Sequence, residues 1–124
     1  MATILMVEDN ELNSDMLKRR LERLGHAVMV ARDGAEGVEM ALALAPALVL
    51  MDLSLPVMDG YEATRRLRAH DTTRHIPVLA LTAHAMGADR EASLAAGCDD
   101  YATKPVDFVS LRKQIDRLLE ARPC

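Results

Sequence analysis

Three short runs of this chain stop abruptly at charge. Ile4-Leu5-Met6-Val7 stops at Glu8-Asp9, Leu48-Val49-Leu50-Met51 stops at Asp52, and Tyr101-Ala102-Thr103 stops at Lys104-Pro105. An apolar run that ends in this way reads as a buried parallel strand whose C-terminal tip opens into a polar crevice. In open α/β sheets that edge is where ligands bind. Glu8, Asp9 and Asp52, if they converge, would repel and raise one another's pKa unless a cation stood among them. A hard divalent ion with oxygen ligands, Mg2+ above all, resolves that conflict. Either Glu8 or Asp9 taken alone could instead cap a helix. A carboxylate beside such an ion can attack phosphorus and form an acyl phosphate. Asp52 is suited to this because Leu53-Ser54-Leu55-Pro56-Val57-Met58-Asp59-Gly60 follows it, a turn-rich segment that lets the acid project. Thr82 closes Val78-Leu79-Ala80-Leu81 and offers a hydroxyl to a phosphoryl oxygen. Lys104 brings a compact positive charge suited to that phosphoryl group or to Asp52.

The elements that must position these groups alternate along the chain. Strands are predicted near 3–8, 27–31, 47–52, 76–81 and 98–102. Between them lie amphipathic stretches. The first carries Leu12, Met16, Leu17, Leu21 and Leu24 on one helical face and stops at Gly25. The second starts at Asp33 and stops before Pro46; the third follows Asp59-Gly60 and runs to about Ala69. The fourth spans roughly 86–96 and is the least securely anchored, because Gly87 sits in its first turn and its face is built from alanines. The fifth begins at Asp107 and turns Phe108, Leu111, Ile115, Leu118 and Leu119 inward. Five strands alternating with five helices imply an α/β fold, a parallel sheet covered on both faces by right-handed crossovers. Glu8, Asp9 and Asp52 converge in the flavodoxin-like strand order 2-1-3-4-5.

Size and composition bound the function. The 124 residues, half of them hydrophobic, read as one soluble domain spanning 1–124. No apolar run approaches the length needed to span a bilayer, and no signal peptide precedes the first strand, so a cytoplasmic protein is expected. A net charge of −4 argues against direct nucleic-acid binding. Cys98 and Cys124 form no metal or disulfide pattern and read as free thiols, with Cys98 opening the fifth strand. His26, His70 and His75 are scattered without helical pairing, so they are expected to be neither metal ligands nor phosphocarriers.

Val7-Glu8-Asp9-Asn10, Met51-Asp52 with Leu55-Pro56 and Asp59-Gly60, Leu81-Thr82-Ala83, Gly97-Cys98-Asp99-Asp100-Tyr101 and Lys104-Pro105 together carry a resemblance. In that order, and over essentially the whole length, the chain resembles the receiver domain of two-component response regulators, and within that family the single-domain cell-cycle regulators. The resemblance implies that Asp52 is the phosphoacceptor. It implies that Glu8, Asp9, Asp52 and the backbone carbonyl of Ser54 bind Mg2+, and that Thr82 and Lys104 hold the phosphoryl group. The Lys104–Pro105 peptide would be cis. Thr82 and Tyr101 would form the switch, Thr82 moving inward and Tyr101 entering the space it leaves. Ser54 and His84, two residues beyond Asp52 and Thr82, would tune the lifetime of the phosphorylated state.

The phosphoryl donor would then be a histidine kinase or a histidine phosphotransfer protein, docking on the first helix around Met16, Arg19, Arg20 and Arg23. A downstream protein would read the face of the fourth helix, fifth strand and fifth helix, with the chain a monomer or a phosphorylation-dependent dimer. The protein is expected to act as a switch rather than as an enzyme with turnover. Only four residues follow the fifth helix, so no output domain is expected, and Met1 directly before the first strand favours a stand-alone protein; a receiver excised from a hybrid histidine kinase is the alternative. An aspartyl-phosphate phosphatase fits poorly, since the position two past Asp52 is Ser54 rather than a second aspartate. A nucleotide-binding domain fits worse, because Glu8-Asp9-Asn10-Glu11 would repel a diphosphate.

Overall fold

The computed structural model describes residues 2–55, 57–83 and 87–120, so that Pro56, His84, Met86 and Cys124 lie outside the described residues. Strands β1 (Thr3–Val7), β2 (Ala27–Ala31), β3 (Leu48–Asp52), β4 (Val78–Thr82) and β5 (Asp100–Thr103) alternate with helices α1 (Glu11–Arg23), α2 (Gly34–Leu44), α3 (Gly60–Ala69), α4 (Gly87–Ala96) and α5 (Phe108–Glu120). All strand pairs are parallel, in the order β2-β1-β3-β4-β5. This is the doubly wound, flavodoxin-like arrangement that the alternation predicts. Among the described residues no helix is long and apolar enough to cross a membrane.

Alternation along the strands builds two cores. Ile4, Met6, Leu48, Leu50, Leu79 and Leu81 face one way and pack with Leu21 of α1 and Leu111 and Ile115 of α5. Leu5, Val7, Val49, Met51, Val78 and Ala80 face the other way and pack with Val38 and Ala41 of α2 and Ala63 and Leu67 of α3. A central strand buried on both faces is apolar along its length, which is why β3 and β4 read as hydrophobic runs up to their polar tips, Asp52 and Thr82.

Short polar side chains start α1, α2, α3 and α5 by satisfying amide groups that a first turn leaves unpaired. Asn10 accepts from the Asn13 N–H at 3.0 Å, Asp33 from Glu36 at 2.8 Å, Asp59 from Glu62 at 2.9 Å and Asp107 from Val109 at 3.1 Å. Helix α2 ends at Ala45 in the left-handed region, directly before Pro46.

The structure departs from the expected elements in three places. Strand β4 begins at Val78, two residues late, because Pro77 has no N–H to give a ladder and the Ile76 N–H turns back to the Thr73 carbonyl. Strand β5 also begins two residues late. The Cys98 N–H closes the end of α4 on the Ser93 carbonyl, so Cys98 belongs to the helix stop rather than to the strand. Along α1, Leu21 is buried, but Leu12 and Met16 are 75% and 58% exposed. The inward stripe of α1 runs instead through Ser14, Leu17 and Leu21, and Leu12 and Met16, two residues to either side of the buried Ser14, point away from it.

Val57 is a further irregularity, a β-branched residue at φ 66 and 85% exposed. The Cβ of an L-residue crowds the following carbonyl in that conformation, and exposure returns no packing energy. Replacing Val57 with Gly is expected to stabilise the fold by about 1 kcal/mol, read as a higher midpoint in urea unfolding with an unchanged slope.

Candidate functional site

Strand register brings the charged tips together. Val7 pairs with Met51, so Glu8 and Asp52, each one residue further on, stand side by side. Asp52 pairs with Leu81, and Leu81 with Ala102. By alternation Glu8 continues the Ile4–Met6 series, Asp52 the Leu48–Leu50 series and Lys104 the Ala102 series. All three therefore project over the face covered by α1 and α5. Lys104 lies beyond β5, and its long side chain reaches back across the tips.

The contacts close this arrangement. Lys104 Nζ donates to Glu8 Oε1 at 2.9 Å and to Asp52 Oδ2 at 3.0 Å. The second oxygens are held by backbone: Glu8 Oε2 accepts from the Asn10 N–H at 3.2 Å, and Asp52 Oδ1 from the Ser54 N–H at 3.0 Å. Both carboxylates are buried, and Asp9 beside them is exposed. Burial pushes the Glu8 carboxyl above its usual range; the Lys104 ammonium pulls it back, and neighbouring Asp52 pushes the same way as burial. Burial also works against the Lys104 charge, but the carboxylates of Glu8 and Asp52 outweigh it and hold the ammonium above its ordinary range.

Glu8, Asp9 and Asp52 each place one ligand oxygen within 4.8 Å of the others. Three hard carboxylate donors with one open, solvent-facing member suit Mg2+ or a similar oxygen-seeking ion that keeps part of its water. Buried negative charge around a single ammonium leaves further positive charge welcome. The residues present therefore fit a divalent cation on their own chemistry.

The remaining candidates take separate places. Ser54 lies in the turn after Asp52, and its N–H is already engaged by that carboxylate. Thr82 closes β4, is buried, and its carbonyl accepts the Lys104 N–H at 2.7 Å. The Lys104–Pro105 peptide is cis. Tyr101 is half-buried and packs against the core on the α2–α3 side, along with Tyr61, Met40 and Met58. Tyr101 pairs with Ala80 and Thr103 with Thr82, so Thr82 and Tyr101 are diagonal neighbours on one face of the sheet. That face is opposite to the one carrying Lys104. His84 lies outside the described residues.

On α1, Met16 and Arg20 line a groove of about 240 Å³ with Leu17, Pro105, Val106 and Phe108, and the groove opens beside Glu8 and Lys104. The Arg20 guanidinium lies 5.1 Å from the centre of the Phe108 ring. Arg19 and Arg23 are exposed and stand outside this lining.

Two determinants were not visible in the sequence. Glu8, rather than Asp52 alone, shares the lysine. Gly60, which reads there as a turn residue, is required for a different reason: a Cβ on it would collide with the Asp52 carbonyl oxygen. A glycine eight residues beyond a strand-end acid was the only available signal.

Residues 4–116 match the response regulator receiver domain family. The chain is 40% identical over 104 residues to the polar-differentiation response regulator DivK of Brucella anthropi, covering 84% of this chain and 85% of that protein. It is 42% identical over 117 residues, 92% of this chain, to a hybrid signal transduction histidine kinase of Dictyostelium discoideum, of which it spans 3%. Among solved structures, a Pseudomonas aeruginosa sensor histidine kinase receiver domain, with a magnesium ion coordinated in its active-site cleft, superposes with a TM-score of 0.91. It is 40% identical, with 97% of this chain and 98% of that one covered. A Saccharomyces cerevisiae response regulator receiver, crystallised with its histidine phosphotransfer protein, gives a TM-score of 0.88 at 32% identity, with 94% and 87% covered.

The raised Glu8 pKa has a sign that can be measured. A carboxyl whose folded pKa exceeds its unfolded value near 4.5 contributes most below that value, and the contribution is lost as pH rises through the folded pKa. Without divalent metal, wild type should therefore lose stability relative to Glu8→Gln as pH climbs above about 4.5, and the two should converge in their pH dependence below it. Paired urea titrations across that window check this.

Proposed function

Because the chain belongs to the response regulator receiver domain family, we propose that it is a phosphorylation switch of a two-component relay, with Asp52 as the phosphoacceptor. The observation that carries this reading is the convergence of Glu8, Asp52 and Lys104 within hydrogen-bond distance at the strand tips. A carboxylate oxygen of Asp52 forms a bond to phosphorus as the bond to the donor nitrogen breaks, and the electron pair leaves with the imidazole of a histidine kinase or phosphotransfer protein. Lys104, already seated on Asp52, follows the charge to the incoming phosphoryl oxygens. Thr82, on the adjacent strand, offers its hydroxyl to another of them.

Glu8, Asp9 and Asp52 would hold Mg2+ together with the Ser54 carbonyl, and the ion would neutralise charge developing on the phosphoryl oxygens. The Asn10 and Ser54 N–H groups orient the carboxylates toward that position from the outer side.

Signalling follows from the placement of Thr82 and Tyr101. A hydroxyl drawn toward Asp52 vacates space beside Ala80, which the diagonal neighbour Tyr101 can enter. Occupancy of Asp52 thereby biases two packings of α4, β5 and α5, and a downstream protein reads that face. The chain turns over no substrate beyond its own acyl phosphate. The 42% identity to a hybrid kinase supports a second reading, in which the same switch operates as the receiver of such a kinase.

Incubation with acetyl phosphate and Mg2+ should give a single phosphoryl adduct by intact mass, absent in Asp52→Asn; an adduct that survives that substitution overturns the assignment. Mg2+ alone should raise the melting temperature. Asp9→Asn, at an exposed position, should shrink that increase by about tenfold in apparent affinity while leaving the metal-free melting temperature within a degree or so.

A further inference from the structure

Gly60, Thr64 and Arg68 follow one another at four-residue steps along one stripe of α3, and each makes a contact that surface helices lack. At the upper end Gly60 lies against the backbone of Asp52, with its N–H 3.3 Å from the Leu53 carbonyl. One turn down, the buried Thr64 hydroxyl donates to the Gly60 carbonyl at 2.7 Å and lies 3.7 Å from the Cys98 sulfur. Since that hydroxyl proton is already committed, the Cys98 thiol is the donor between them. One turn further, Arg68 Nε donates to the Gly97 carbonyl at 2.9 Å. Its Nη1 donates to the carbonyls of Ile76 at 2.7 Å and Arg74 at 3.0 Å, and Nη2 to Asp99 Oδ2 at 2.8 Å.

The same Asp99 oxygen accepts the Val78 N–H at 2.8 Å. One guanidinium thus gathers the loop before β4, the first residue of β4 and the whole Gly97–Asp99 junction between α4 and β5. Gly97 itself is at φ +110, and a Cβ there would press on the Arg68 side chain. Three backbone carbonyls and a carboxylate around one planar fork form a geometry that a lysine cannot reproduce.

We propose that α3 is a strut between the acceptor and the α4–β5 junction, with Thr64 and Arg68 as positioning residues for the conformational response. This rests on the reading of Asp52 and Tyr101 given above. The strut fixes the base of α4 and β5 to the backbone of Asp52, so that a change at the strand tips must be taken up by α4 and β5 above a held pivot at Gly97. When it is cut, the junction relaxes without reference to Asp52, and occupancy of the acceptor no longer selects one packing.

The test compares wild type, Arg68→Met and Thr64→Val, each treated with acetyl phosphate and Mg2+ and followed by intact mass and by amide chemical shifts. Both variants should acquire the phosphoryl group at the wild-type rate, because neither residue touches the tips. Their shift changes at Asp100, Tyr101, Ala102 and Thr103 should fall by about twofold or more. Full-sized changes in both variants, even with a lowered melting temperature, would show Arg68 and Thr64 to be structural only and overturn the proposal. Wild type that forms no adduct would instead defeat the reading of Asp52 on which it stands.

Discussion

One ammonium between two buried carboxylates sets the conditions for everything at the upper edge of this sheet. Glu8 and Asp52 are taken out of water by the same packing that makes β1 and β3 central strands, and neither could remain there charged without Lys104. The backbone follows from that requirement. Asn10 and Ser54 must present their N–H groups to the outer oxygens, so the chain has to turn immediately after each acid. Helix α3 must begin close enough to Asp52 that only glycine fits at its first position. A loop under such demands has little freedom left, and the left-handed Val57 lies within it.

The strict alternation of the strands divides labour across the sheet. Glu8, Asp52 and Lys104 stand on the side of α1 and α5, whereas Thr82 and Tyr101 belong to the side of α2 and α3. The charged cluster and the residues proposed to read it therefore share strands but not a face, and a slip of one residue in any central strand would exchange them. The tie between the two sides runs through residues at the tips and, along α3, through the stripe ending at Arg68.

The fold was legible where local signals were strong. Apolar runs with charged ends marked β1 and β3, and Asp33, Asp59 and Asp107 marked helix starts that the structure confirms through their side-chain hydrogen bonds. Signals failed where a residue's partner decided its role. Cys98 looks like strand and serves a helix end, because its amide finds Ser93 first. Leu12 and Met16 keep a helical spacing, yet the face that packs is the one of Ser14 and Leu21, which a polar serine disguises. The lysine on Glu8 lies 96 residues away, and the Gly97 carbonyl on Arg68 lies 29 away. No periodicity records that an arginine on a polar helix will donate to three carbonyls and a carboxylate outside that helix.

The scarcity of aromatic rings has a spectroscopic consequence. The chain holds no tryptophan and two tyrosines, Tyr61 and Tyr101. Both pack against the same apolar cluster, on the face that carries Thr82. The intrinsic near-ultraviolet emission of the protein therefore comes from two phenols, one of them the residue proposed above to respond to the state of Asp52. On that proposal the molecule carries its own optical label at Tyr101, with Tyr61 in the same apolar cluster as the internal reference.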